Sequence, residues 1–135
     1  MRRPYFLALL ADALLAAGSI DDGLAAVDEA EALIESSGEC RWQAETLRLK
    51  GMLTLEHGAN ADAVATHFRD AIAVARHQES KLLELRAATS LARLTLDHAK
   101  PEDARDLLAP VLDWFTEGFD APDLRAAKAF LDGLR

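Results

Sequence analysis

The sequence predicts an all-α fold, a single domain of antiparallel helical hairpins following one another along the chain. Three observations lead there. Half of the 135 residues are hydrophobic but only 6% are aromatic, so the interior must be mostly leucine and alanine, a mixture that favours helices packed closely side by side. Residues that favour strands are sparse, with isoleucine only at Ile20, Ile34 and Ile72. Apolar residues recur at helical spacing between short breaks rich in glycine, proline and polar residues, and no stretch alternates convincingly as a strand. The length suits one domain over residues 1–135, with a continuous core that needs no disulfide or metal.

Leu7, Leu10, Ala11 and Leu14 define the first helix, closed by Gly18. Asp21 and Asp22 open the second, which runs through Ala25, Val27, Ala30, Leu33 and Ile34 to Ser36-Ser37-Gly38. The third extends from about Arg41 to His57 and is ended by Gly58. Asn60 caps the fourth, through Val64, Phe68, Ile72 and Ala75, and Ser80 starts the fifth, through Leu83, Ala87, Leu91, Leu94 and Leu96. Pro101 suits the first position of the sixth helix, where a missing N–H costs nothing. Pro110 should kink that helix and Gly118 end it. Asp120 is the expected cap of the seventh, which runs to about Leu134.

The helices repeat with a period of about forty residues. Gly18, Gly58 and Ala99 end the odd helices, and Ala11, Gly51 and Ala92 sit seven residues before those ends. Such small residues are needed where two helices approach closely. Ala30, Ala71 and Val111 hold the equivalent place in the even helices, preceded by Leu24/Val27, Val64/Phe68 and Ala104/Leu108. This pattern resembles the tetratricopeptide repeat. It departs from that repeat in its length, about forty against the usual ~34 residues, in the replacement of most of the signature Trp, Gly and Tyr, and in Gly23 where alanine is usual. The resemblance implies a right-handed solenoid of about three hairpins, with the seventh helix as a cap over the last one.

Three strings are more specific: Pro4-Tyr5-Phe6-Leu7-Ala8-Leu9-Leu10-Ala11, Glu84-Leu85-Arg86-Ala87-Ala88-Thr89-Ser90-Leu91-Ala92-Arg93-Leu94, and Trp114-Phe115-Thr116-Glu117-Gly118-Phe119-Asp120 followed by Asp123-Leu124. Together they resemble the C-terminal helical tail of large bacterial signalling proteins. In those proteins a class III adenylate/guanylate cyclase or a DNA-binding regulator domain precedes an ATPase module. The resemblance implies a regulatory or interaction tail, either trimmed from such a protein or a short free-standing relative. The chain has neither a Walker-type glycine-rich loop nor the cyclase metal-binding carboxylates, so neither activity carries over.

A net charge of −8 argues against nucleic acid or anionic membrane as the main ligand. Cys40 is the single cysteine, so no internal disulfide can form, which suits the cytoplasm. The start, Met1-Arg2-Arg3 followed by an apolar run, briefly resembles a leader, but Asp12 interrupts it and the segment reads as an amphipathic helix. His57, His67, His77 and His98 lack the spacing of a zinc site, and His57 and His98 suit helix C-termini. Cys40 beside Arg41 has no base or resolving thiol in view, and no serine belongs to a nucleophile elbow. The chain is therefore expected to be a non-enzyme without cofactor or metal.

Transferring the repeat pattern places Tyr5, Ala8, Asp12 and Leu15, then Glu45, Arg48, Met52 and Leu55, then Arg86, Thr89, Arg93 and Leu96 on the inner face of the odd helices. The expected partner groove is formed by Tyr5, Asp12, Glu45, Arg48, Met52, Arg86, Thr89 and Arg93, acidic at one end, basic at the other and apolar between. It suits a protein or peptide carrying an acidic group near Arg86 and Arg93. The competing expectation is that these charges pair across neighbouring helices and fix the stacking, with Arg86 and Arg93 held by Glu45, Asp97 or Glu84. Trp114, Phe115 and Phe119 are expected to pack inside against Leu124, Phe130 and Leu131. Two other functions remain in view: self-association through the first hairpin around Tyr5, Phe6 and Leu9, and a small-molecule sensor.

Overall fold

A computed structural model of the chain describes residues 4–134; Arg2 and Arg3, the basic start of the leader-like run, lie outside the described residues. Those residues form seven helices: α1 (Pro4–Ala16), α2 (Ile20–Ser37), α3 (Gln43–Glu56), α4 (Ala61–His77), α5 (Lys81–His98), α6 (Pro101–Asp113) and α7 (Pro122–Asp132). No strand occurs among the described residues. Each helix packs antiparallel on the next. The odd helices also touch one another, α1 with α3, α3 with α5 and α5 with α7, whereas no two even helices meet. The odd helices thus form a continuous layer, flanked by the even ones.

The interior is divided into two cores that meet at α3. Leu7, Ala11, Ala26, Val27 and Ala30 bury against Leu49 and Leu53 of α3. The larger core joins α4, α5, α6 and α7 around Phe68, Leu85, Leu91, Leu108 and Leu124, with Leu47 and Met52 of α3 packed on it. A helix serving two cores must be apolar on both faces, which α3 achieves with the run Leu47, Leu49, Met52 and Leu53.

The small residues of the period are buried as expected: Ala11, Gly51 and Ala92 in the odd helices, Ala30, Ala71 and Val111 in the even ones. Gly51 marks the closest approach. A Cβ there would stand 2.6 Å from Cε1 of Phe68, well inside contact distance, so the ring of α4 lies directly on the α3 backbone. Gly23 has an equivalent reason, since a Cβ on it would fall 2.7 Å from Cδ2 of Leu53.

The helix ends hold to expectation in part. Gly38 adopts φ 73° and its N–H donates to the Ile34 carbonyl, as a left-handed terminator does. The Asn60 side chain accepts from Ala63 N–H at 2.9 Å, capping α4. The third helix begins at Gln43 rather than Arg41. Ser80 occupies the cap position of α5, but its backbone carbonyl, not its hydroxyl, receives the helix bond, from Glu84 N–H. The sixth helix continues through Pro110 and stops at Asp113, five residues before Gly118. Pro110 has no N–H to give the Asp106 carbonyl, yet the helix runs three residues beyond it. Asp120 does not cap α7: Ala121 takes that position, and the Asp120 carbonyl accepts from Arg125 instead.

Gly51→Leu is expected to overpack the α3–α4 crossing and cost about 1–3 kcal/mol in urea unfolding. Combined with Phe68→Leu, the loss should be smaller than the two single losses added together, because the two side chains compete for one space. Strict additivity would show that Phe68 does not set the limit.

Candidate functional site

Six of the eight expected groove residues come together. A cleft of about 400 Å³ is lined by Asp12, Glu45, Arg48, Arg86, Thr89 and Arg93, joined by Leu9, Ser90, Asp123 and Ala126. All of them belong to odd helices. Tyr5 lies beside it, over a smaller hollow shared with Trp42, its ring 4.7 Å from the indole. Met52 is not part of the cleft; it packs half-buried on the larger core, where α3 needs an apolar side chain.

The floor is ionic, not apolar as expected. Glu45, only 7% exposed, divides its two oxygens between two arginines. Arg48, one turn on, donates to Oε1, and Arg86 of α5 donates through Nη1 to Oε2 at 3.1 Å. Arg86 also holds Asp123 in the first turn of α7, with Nη2 2.8 Å from Oδ2 and Nε shared between both oxygens. Burial pulls the Arg86 pKa down, but the hydrogen bond to Asp123 and the charges of Glu45 and Asp123 outweigh it and hold the guanidinium charged, above its ordinary range. The competing expectation is therefore the better one for Arg86, although only one of its named partners is correct. Glu84 faces the other way, to Arg76 at 2.8 Å and to Lys81.

The rim differs. Asp12 on α1 and Arg93 on α5 are exposed and make no ion pair among the described residues. Also lining the cleft, Thr89 and Ser90 donate their hydroxyl hydrogens to the carbonyls of Leu85 and Arg86, and Ser90 Oγ accepts from Arg48 Nη1 at 3.5 Å. The site thus presents an acid and a base across a neutralised floor. Asp123 and Ala126 were missed because the seventh helix reads as a cap. Continuing the odd-helix layer by one more member would have included them.

Other candidates fall elsewhere. His57 ends α3 as expected and meets Asp21 of α2 at 3.3 Å. Burial, then Lys50, lowers the pKa of His67. Cys40 is exposed, its thiol 3.4 Å from the Gly38 carbonyl. No three potential metal ligands cluster among the described residues, and no described helix is long and apolar enough to cross a membrane. The expectation for the aromatics is corrected: Phe115 is half-buried against the larger core, but Trp114 is 58% and Phe119 43% exposed. Trp114 keeps helical dihedrals past Asp113 but lies off the buried face of α6, and it sits under Lys81, whose Nζ is 5.5 Å from the ring centroid.

These features define an all-helical chain with a polar cleft across one helical layer. No family model matches it, and no solved structure does. Over 91 residues, 67% of the chain, it is 34% identical to an uncharacterized protein of Rhizobium meliloti (strain 1021). The aligned stretch is 9% of that protein, so the chain spans a small part of the length of this relative.

Arg86→Ala should destabilise the fold by about 1–3 kcal/mol in thermal or urea unfolding, because it leaves Asp123 without its partner and Glu45 with Arg48 alone. The loss stays below the about 3–5 kcal/mol of a fully buried pair, since the guanidinium keeps some access to water. Arg93→Ala should change stability by less than about 0.5 kcal/mol. Equal losses would mean that Arg93 is also a strut.

Proposed function

We propose that this chain is a tetratricopeptide-like helical-repeat module, one that binds a protein or peptide segment across the cleft of its odd helices. In this reading it serves as a non-catalytic regulatory part of a cytoplasmic bacterial signalling protein. The repeat assignment is supported by the spacing of buried small residues and by odd helices that touch while even ones do not. A much longer relative is in keeping with a module inside a larger polypeptide.

One observation carries the binding role: a cleft built entirely from odd helices, with its internal charges satisfied and Asp12 and Arg93 left over on opposite walls. A segment bearing a cation and an anion fits that pair, the cation toward Asp12 and the anion toward Arg93. Each charge-assisted bond contributes about 1.5 kcal/mol, the low end of its range, because both groups face water. The Thr89 hydroxyl oxygen accepts from a backbone or side-chain donor of that segment.

A random peptide library displayed on phage tests this reading, with counter-selection on the Asp12→Lys, Arg93→Glu double variant. Enriched peptides should carry both charge signs and lose affinity as salt rises. The double variant should fail to bind them while melting at the wild-type temperature. If no peptide distinguishes the two proteins, the cleft is not a peptide site.

A further inference from the structure

A second surface lies at the end of the molecule where the odd helices begin. A hollow of about 490 Å³ opens there, with Trp42, Leu82 and Leu83 as its apolar lining and Arg41 and Arg86 at its edges. No carboxylate lines it, in a chain of net charge −8. Arg41 is exposed and makes no ion pair among the described residues, and Leu82 is an exposed leucine.

Beside the hollow runs the α6–α7 connection, which has the opposite character. Over Asp113-Trp114-Phe115-Thr116-Glu117-Gly118-Phe119-Asp120 it carries three carboxylates and two exposed rings. Asp113, Glu117 and Asp120 make no side-chain ion pair among the described residues. The contact of Trp114 with Lys81 brings the connection against the first turn of α5, the turn whose Leu82 and Leu83 line the hollow. An acidic aromatic segment adjoins an apolar hollow with a free arginine, and neither satisfies the other within one chain.

We propose that this face pairs two copies of the chain about a two-fold axis, each inserting its α6–α7 connection into the hollow of the other. Adjacent complementary surfaces are what an isologous contact requires, since each copy must offer both halves. Trp114 and Phe119 cover Trp42, Leu82 and Leu83 of the second copy, and Glu117 and Asp120 approach its Arg41. Tyr5 joins the edge of the contact through its packing on Trp42. The contact uses neither Asp12 nor Arg93, the two unpaired charges of the peptide cleft.

Sedimentation velocity on the 135-residue chain tests the proposal, with dimer expected at concentrations on the order of a hundred micromolar. Trp114→Ala should weaken the dimer about tenfold or more, as loss of a central aromatic does, with the far-ultraviolet dichroism unchanged. Arg41→Glu, and separately Glu117→Lys with Asp120→Lys, should each leave monomers. Mixing those two charge-reversed proteins should restore dimer, because both reciprocal contacts then join opposite charges. Phe6→Glu, on the exposed face of α1, should leave the dimer intact. A monomer throughout, a dimer indifferent to Trp114, no recovery on mixing, or a dimer broken by Phe6→Glu would each overturn the proposal, the last in favour of the first hairpin.

Discussion

One guanidinium holds three helices in register. Arg86 of α5 reaches Glu45 of α3 on one side and Asp123 of α7 on the other, so the odd layer is fastened at its centre by a single side chain. Leucine and alanine packing supplies most of the cohesion but little direction, because apolar contacts tolerate sliding. Fixed ion pairs with directional hydrogen bonds define how far one helix is advanced along the next. The same contacts neutralise the cleft floor, which separates two tasks among residues of one chemical type. Arg86 and Arg48 hold structure, while Arg93, one face-repeat further along α5, remains available.

Much of the architecture was legible in the amino-acid order. Helical spacing located all seven helices, and the forty-residue period placed Ala11, Gly51 and Ala92 at close crossings. Both cues arise from local geometry and steric size, which sequence records directly. Gly23 was readable only as an irregularity; its reason, Leu53 resting on the α2 backbone, comes from another helix. That six of the eight groove residues would share one cleft was also accessible, because which residues share a helix face follows from register alone.

What escaped was the choice among partners. Arg86 had several acids within plausible reach, and the one that binds it most fully, Asp123, is 37 residues away on a helix read as a lid. The end of α6 misled as well: Pro110 was expected to kink the helix and Gly118 to end it, whereas it stops at Asp113. The register of α6 itself points Trp114 outward: it keeps helical dihedrals just past Asp113, and at 100° per residue it lies well off the face of Ala104, Leu108 and Val111, which Phe115 continues.

The two cores that share α3 give the molecule an uneven resistance to opening. Freeing α1 and α2 sacrifices only the smaller core and leaves Leu49 and Leu53 wet on a helix still anchored by Leu47 and Met52. Freeing α5 removes the centre of the larger core and the Arg86 fastening together. Amide protection against hydrogen exchange is therefore expected to rise from the first hairpin toward α5, with the first hairpin as the early-melting unit of the chain. The cleft wall that carries Asp12 belongs to that early-melting unit, whereas Arg93 stands on the most persistent helix. A segment bound as proposed would bridge a labile wall and a durable one, and so would slow the fraying of the first.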